Sequence, residues 1–152
     1  MRTRRALLCA LMLSGPLLAA PGGGSAPTVD ALLGGRVRIP LAELAGRVPL
    51  AAGEDFRVAL VGRDAGTSHH LVAIRTAEVP HRHDRHDLLV VIVRGHGTML
   101  LGDAARPIGE GSILYVPRGA VHAFTNRSDA PAVAYAVYTP PFDGKDRVDA
   151  PK

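Results

Sequence analysis

The chain of 152 residues predicts one all-β barrel preceded by a short N-terminal extension. Three observations carry that expectation. From Phe56 onward the apolar residues come in short runs rather than in helical spacing. Gly, Pro, Asp or Asn punctuates the gaps between the runs. The run Leu88–Val93 is apolar at both parities, so both of its faces need cover, as in a packed two-layer β structure. Short strands with turn residues between them argue for a sandwich or barrel.

The elements follow in chain order. Met1–Arg5 is basic and Ala6–Ala20 is apolar, broken by Ser14-Gly15-Pro16. This is the layout of a secretory signal peptide over residues 1–20, with cleavage between 20 and 26, and it is too short for a membrane span. Export to the periplasm or the extracellular space is therefore expected. Residues 21–28 are rich in Gly, Pro and Ser and read as a tether. Residues 29–55 form the extension, with a short helix at Leu41–Ala45 after Pro40, a favourable first-turn residue. The barrel spans 56–146, with strands at Phe56–Val61, Leu71–Ile74, Leu88–Val93, Thr98–Leu101, Ile113–Val116, Val121–Phe124 and Ala132–Tyr138. Residues 147–152 read as a tail.

Composition narrows the function classes. The formal charge is +4, from 18 basic and 14 acidic residues. Arg2, Arg4 and Arg5 leave with the leader, so the mature chain carries 15 basic against 14 acidic residues. A near-zero charge removes the main support for a nucleic-acid partner. No membrane association is expected once the leader is gone. Cys9, the only cysteine, also lies in the leader, so no disulfide is expected. No glycine-rich phosphate loop follows a strand, which argues against a nucleotide cofactor.

Two segments carry chemistry. In His81-Arg-His83-Asp-Arg-His86-Asp87, residues two apart on a strand share a face, so His81 and His83 aim at one point. The second segment is Gly111-Ser-Ile-Leu-Tyr-Val-Pro117-Arg-Gly119-Ala-Val-His122-Ala-Phe-Thr-Asn126. Imidazoles and a carboxylate suit Fe, Mn, Zn or Ni.

These spacings resemble the cupin superfamily, specifically small single-domain metal-binding cupins. Gly111, Pro117, Gly119, His122 and Asn126 match its second motif without a gap. His81 and His83 match the first. Asp87 stands where glutamate is usual, Arg75 replaces the opening glycine and Gly95 falls one place late. Thr139-Pro-Pro-Phe-Asp-Gly-Lys-Asp146 looks like the segment that closes many such barrels. The resemblance implies a double-stranded β-helix, or jelly-roll, barrel. It implies one divalent metal ion held by His81, His83, His122 and Asp87, with open positions for a small molecule.

The local chemistry supports that picture. Proline fixes φ and glycine tolerates φ > 0, so Pro117 and Gly119 bracket a tight turn that sends His122 back toward the His81/His83 pair. Asn126 is expected to bond nearby backbone. His86 is the competing fourth ligand, although its strand parity is opposite. His96, between Gly95 and Gly97, is expected in solvent. Of His69 and His70, at most one faces inward. Arg82, Asp84 and Arg85 read as solvated charges or as a pocket rim. On the last strand Ala132, Ala134, Ala136 and Tyr138 share a face. If that face looks inward, a small ligand has room beside the Tyr138 hydroxyl, which is the one candidate catalytic group.

On Leu88–Val93, the parity of Asp87 is expected to face the barrel interior. Leu88, Val90 and Ile92 would then need cover from residues 29–61 or from a second subunit in a homodimer. Two functions remain open: an enzyme, including a metal-dependent dioxygenase, or a periplasmic module that binds metal or a small ligand without chemistry.

Overall fold

A computed structural model describes residues 30–33 and 37–150. The leader at 1–20 and the tether at 21–28 lie outside the described residues, as do 151 and 152. The strands are β1 (Asp30–Leu33), β2 (Val37–Pro40), β3 (Phe56–Arg63), β4 (Ser68–Ile74), β5 (His81–Arg82), β6 (Asp87–Arg94), β7 (His96–Leu101), β8 (Ala104–Gly109), β9 (Ile113–Val116), β10 (His122–Asn126), β11 (Ala132–Thr139) and β12 (Val148–Asp149). The short helix α1 (Leu41–Leu44) follows Pro40 and runs into a 3-10 turn at Ala45–Arg47.

Two antiparallel five-stranded sheets face one another, in the orders β3-β4-β11-β6-β9 and β12-β5-β10-β7-β8. This is the all-β barrel that the apolar runs predict, in the jelly-roll form that the resemblance implies. The interior is built from alternate residues of both sheets, including Val72, Ile74, Leu88, Met99, Val116, Phe124, Ala136 and Tyr138. Gly97 lets β7 and β10 meet closely: a Cβ there would lie 2.2 Å from the Thr125 carbonyl oxygen and 2.5 Å from the Phe124 ring.

The N-terminal extension covers the outer face of the first sheet. Ile39, Leu44, Ala45 and Val48 pack on Leu71, Ala73, Val93 and Val133, and Leu44 is fully buried. The β6 expectation is therefore reversed. Leu88 belongs to the interior cluster and Ile92 lines the interior cavity, while Val93 lies under the extension. A β-bulge at the Val133/Ala134 step pairs Arg94 with Val133 and Ile92 with Ala134, leaving Val93 outside the ladder. Leu89, on the Asp87 parity, is 44% exposed.

The segment expected as a tail also contributes to the barrel. Val148 pairs with Arg82 and Asp149 with His81, so β12 forms an edge of the second sheet.

Candidate metal centre

His81 and His122 are direct cross-strand partners on β5 and β10, which places their side chains on one face. His83, two residues beyond His81, joins them. The ring centroids lie 4.3 Å apart for His81–His122, 5.2 Å for His81–His83 and 5.4 Å for His83–His122. All three side chains are buried, and one nitrogen from each lies within 4.8 Å of the other two.

The turn that the second motif predicts is present. Gly119 has φ +79°, and Ala120 N–H donates to the Pro117 carbonyl at 3.1 Å. Gly119 N–H donates to the carbonyl of His83 at 2.7 Å, so the turn that returns His122 is bonded to the segment carrying the other two imidazoles. Asn126 is structural, as expected. Its amide donates to the carbonyls of Arg75 and Ala130 and accepts from Ser128 N–H.

Each imidazole is oriented through Nδ1. His81 donates to the Val79 carbonyl at 2.9 Å and His122 to the Ala120 carbonyl at 3.0 Å. His83 donates to the main-chain carbonyl of Asp146. With Nδ1 protonated, a neutral ring presents its lone pair at Nε2, the tautomer a metal ligand needs. His83 Nε2 is buried with no hydrogen-bond partner. Burial lowers the His81 pKa to about 3, helped by the neighbouring His122 and Arg147. Burial also lowers His83 to about 4, against the opposing bond to Asp146, and pushes His122 down.

Asp87 does not join the three histidines. Its Oδ1 accepts from Arg118 N–H at 2.8 Å and its Oδ2 from Arg118 Nη2 at 2.6 Å. That pairing holds its carboxyl at about 2. The reason is the reversed parity of β6: the side of the strand that Asp87 occupies faces away from the interior. His86, the other candidate, is buried, but its Nδ1–H donates to Oδ2 of Asp146.

Asp146 is the residue the motif reading missed. It is 4% exposed and accepts backbone N–H bonds from Asp84 at 3.1 Å and Arg85 at 2.8 Å, besides the His86 bond. Burial alone would raise its carboxyl; the bonds from His86, Arg85 and Asp84 outweigh that and hold it at about 2. Asp84 bonds Arg82 at the surface and Arg85 reaches Asp143, so those charges form the outer rim. His96 is exposed beside Ser128. His70 faces inward and bonds Ser68 Oγ at 2.9 Å, whereas His69 bonds the Tyr135 hydroxyl at 2.7 Å.

The histidines open onto a cavity of about 240 Å³ inside the barrel. Val72, Leu88, Val90, Leu114 and Phe124 form much of its wall, and the alanine face of β11 looks into it. Tyr138 is 6% exposed, stacks on Phe142 at 4.6 Å, and stands 5.3 Å from the His83 ring. Burial, reinforced by the Glu78 charge, raises its hydroxyl to about 12, so it stays protonated.

Two charged groups line the cavity that the sequence reading did not single out: Glu78 and Arg147. Glu78 accepts from Phe124 N–H at 3.1 Å, and burial raises its pKa. Arg147 enters from the segment before β12. Its Nη1 donates to His81 Nε2 at 2.9 Å, its Nη2 to the Val79 carbonyl at 3.2 Å, and Nη1 lies 3.8 Å from Glu78 Oε1. The only early signal was position: Glu78 lies three residues before His81, and Arg147 directly follows the closing segment.

Comparison with known proteins agrees with this fold. A family model for the cupin domain matches residues 68–138. An uncharacterized protein of Aquifex aeolicus (strain VF5) is 37% identical over 95 residues, covering 62% of this chain and 78% of that one. A solved Klebsiella pneumoniae protein with a double-stranded β-helix domain has TM-score 0.62 at 17% identity, covering 77% of this chain and 98% of that one. A nucleoside dehydratase from Streptomyces has TM-score 0.55 at 16% identity, covering 70% of this chain and 87% of that one. At those identities the two structures share the fold with this chain.

Proposed function

Because this chain belongs to the cupin superfamily, we propose that it binds one divalent metal ion through Nε2 of His81, His83 and His122 and holds a small molecule in the adjoining cavity. The observation that carries this reading is the common orientation of the three rings. Every Nδ1 is committed to a backbone carbonyl, and His83 Nε2 is buried without a partner. A buried polar atom left unbonded costs about 1–3 kcal/mol, and coordination would remove that cost. Low pKa values keep the His81 and His83 rings neutral at neutral pH. Three protein ligands leave positions for water or a small molecule.

A bound divalent ion would supply Lewis acidity toward an oxygen atom of the small molecule. The chain's own groups do the rest. The apolar wall and the alanine face exclude water, and Tyr138 offers a protonated hydroxyl. Glu78 favours a second reading, in which the bound molecule is transformed rather than only held. Burial raises the pKa of this carboxyl, so it holds a proton more readily than an exposed one, as a group that passes protons must. The dioxygenase form of that reading requires iron, so the identity of the metal separates it from a redox-silent site.

Export is proposed from the leader-like residues 1–20, and self-association from the exposed Leu89, Ile113 and Tyr115 on β6 and β9. The deciding experiment is elemental analysis of the purified wild-type protein, His122→Ala and His96→Ala. Wild type and His96→Ala should carry one equivalent of metal, and His122→Ala should carry none. Equal metal content in the two variants removes the proposal.

A further inference from the structure

Arg147 is an unusual neighbour for a cation site. Its guanidinium touches the ligand atom of His81 while lining a largely apolar cavity. A metal on His81 Nε2 would take the lone pair that Nη1 now bonds, leaving that N–H donor beside the ion. The charge balance of the cavity points the same way. Among the lining residues the acidic and strongly basic side chains are Glu78 and Arg147, and a divalent metal would add two positive charges. Glu78 offsets at most one of these, and its Oε2 is already bonded to Phe124 N–H. A low-dielectric cavity with surplus positive charge favours an anion. The volume of about 240 Å³ lies below the roughly 300–1,000 Å³ typical of drug-sized ligands, so the molecule must be small.

We propose that Arg147 anchors the head group of a small organic acid, whose carboxylate sits between the guanidinium and the His81/His83/His122 cluster and whose apolar body fills the cavity. The fork of guanidinium N–H groups matches a carboxylate. The walls built by Val72, Leu88, Val90 and the β11 alanines fit a hydrocarbon body and offer no partners for a polar one. This inference rests on the metal reading above, since the ion is what releases Nη1 from His81.

Calorimetric titration with hexanoate and 1-hexanol tests it, on protein whose metal content has first been measured. Metal-loaded wild type should bind hexanoate at least about tenfold more tightly than hexanol. Arg147→Met should keep its metal, lose about tenfold or more in hexanoate affinity and leave hexanol unchanged. Glu78→Gln, which removes the competing carboxylate yet can still accept from Phe124 N–H, should tighten hexanoate. Equal affinity of the loaded wild type for the two probes, or unchanged hexanoate binding by Arg147→Met, overturns the subsite. A protein that takes up no metal but still prefers hexanoate through Arg147 overturns the metal reading and the placement of the carboxylate against the histidines, and leaves only the guanidinium anchor.

Discussion

The imidazole of His83 and the main chain of Asp146, 63 residues apart, are joined by one hydrogen bond from Nδ1–H to the Asp146 carbonyl. The carboxylate of the same aspartate takes the N–H groups of Asp84 and Arg85 and the imidazole of His86. One buried residue thus holds the whole loop between β5 and β6, and with it the orientation of His83.

Replacing that clamp should cost both stability and metal. Asp146→Ala leaves the His86 imidazole and the backbone donors without their charged acceptor, so about 3 kcal/mol of folding stability should be lost in urea titrations. Metal affinity should fall about tenfold or more, as it does when partners that orient ligands are removed. Asp143→Ala, in an exposed pair with Arg85, should leave the urea midpoint close to that of wild type. Equal effects from the two variants would deny Asp146 its role.

Asp87 should be dispensable for metal. Asp87→Asn weakens a surface pair with Arg118, whose side chain is 55% exposed, at little cost in stability. Metal per chain, measured by elemental analysis, should match wild type. A loss comparable to that of His122→Ala would restore Asp87 as a ligand.

Acid should destabilise the metal-free protein before its carboxylates titrate. His81 and His83 are held at about 3 and about 4 in the folded chain, against about 6.5 when unfolded. Between those values the unfolded chain binds protons that the folded chain refuses. Stability is therefore full above about pH 6.5 and falls as pH drops toward 4 and 3, by up to about 1.4 kcal/mol per pH unit for each histidine. Asp146, lowered from 3.8 to about 2, adds a further loss between those two values. Urea midpoints of chelator-treated protein should drop between about pH 7 and pH 5. Identical midpoints would contradict the burial of these rings.

Filling the cavity should separate ligand from metal. Ala134 lines the cavity from the middle of β11, whereas Tyr138 marks the end nearest His83. Ala134→Leu should retain one equivalent of metal and acetate binding yet lose about tenfold or more in hexanoate affinity. Unchanged hexanoate binding would place the apolar body elsewhere.

Much of the centre was legible because its rules are local. Period-two alternation brings His81 and His83 together whatever the rest of the barrel does, and the Pro117–Gly119 turn is written in two residues with special φ preferences. The alanine face of β11 and the bonding of Asn126 follow from the same short-range logic. Glu78 and Arg147 were illegible because a lone charged residue in a loop reads as solvated until a cavity is seen around it. Asp146 could be quoted within the closing segment, but its four bonds depend on a chain approach that no spacing rule encodes.

The amino-acid order by itself determined the element types, the alternation along each strand and the chemistry of the three imidazoles, since these depend on neighbours only a few positions away. Tertiary structure alone decided which side of β6 is the inside. Leu88–Val93 is apolar on both faces, so burying either satisfies the strand equally well. The choice falls to what covers it: the N-terminal extension seals Val93, the barrel encloses Leu88 and Ile92, and Asp87 is left on the outer side with Arg118.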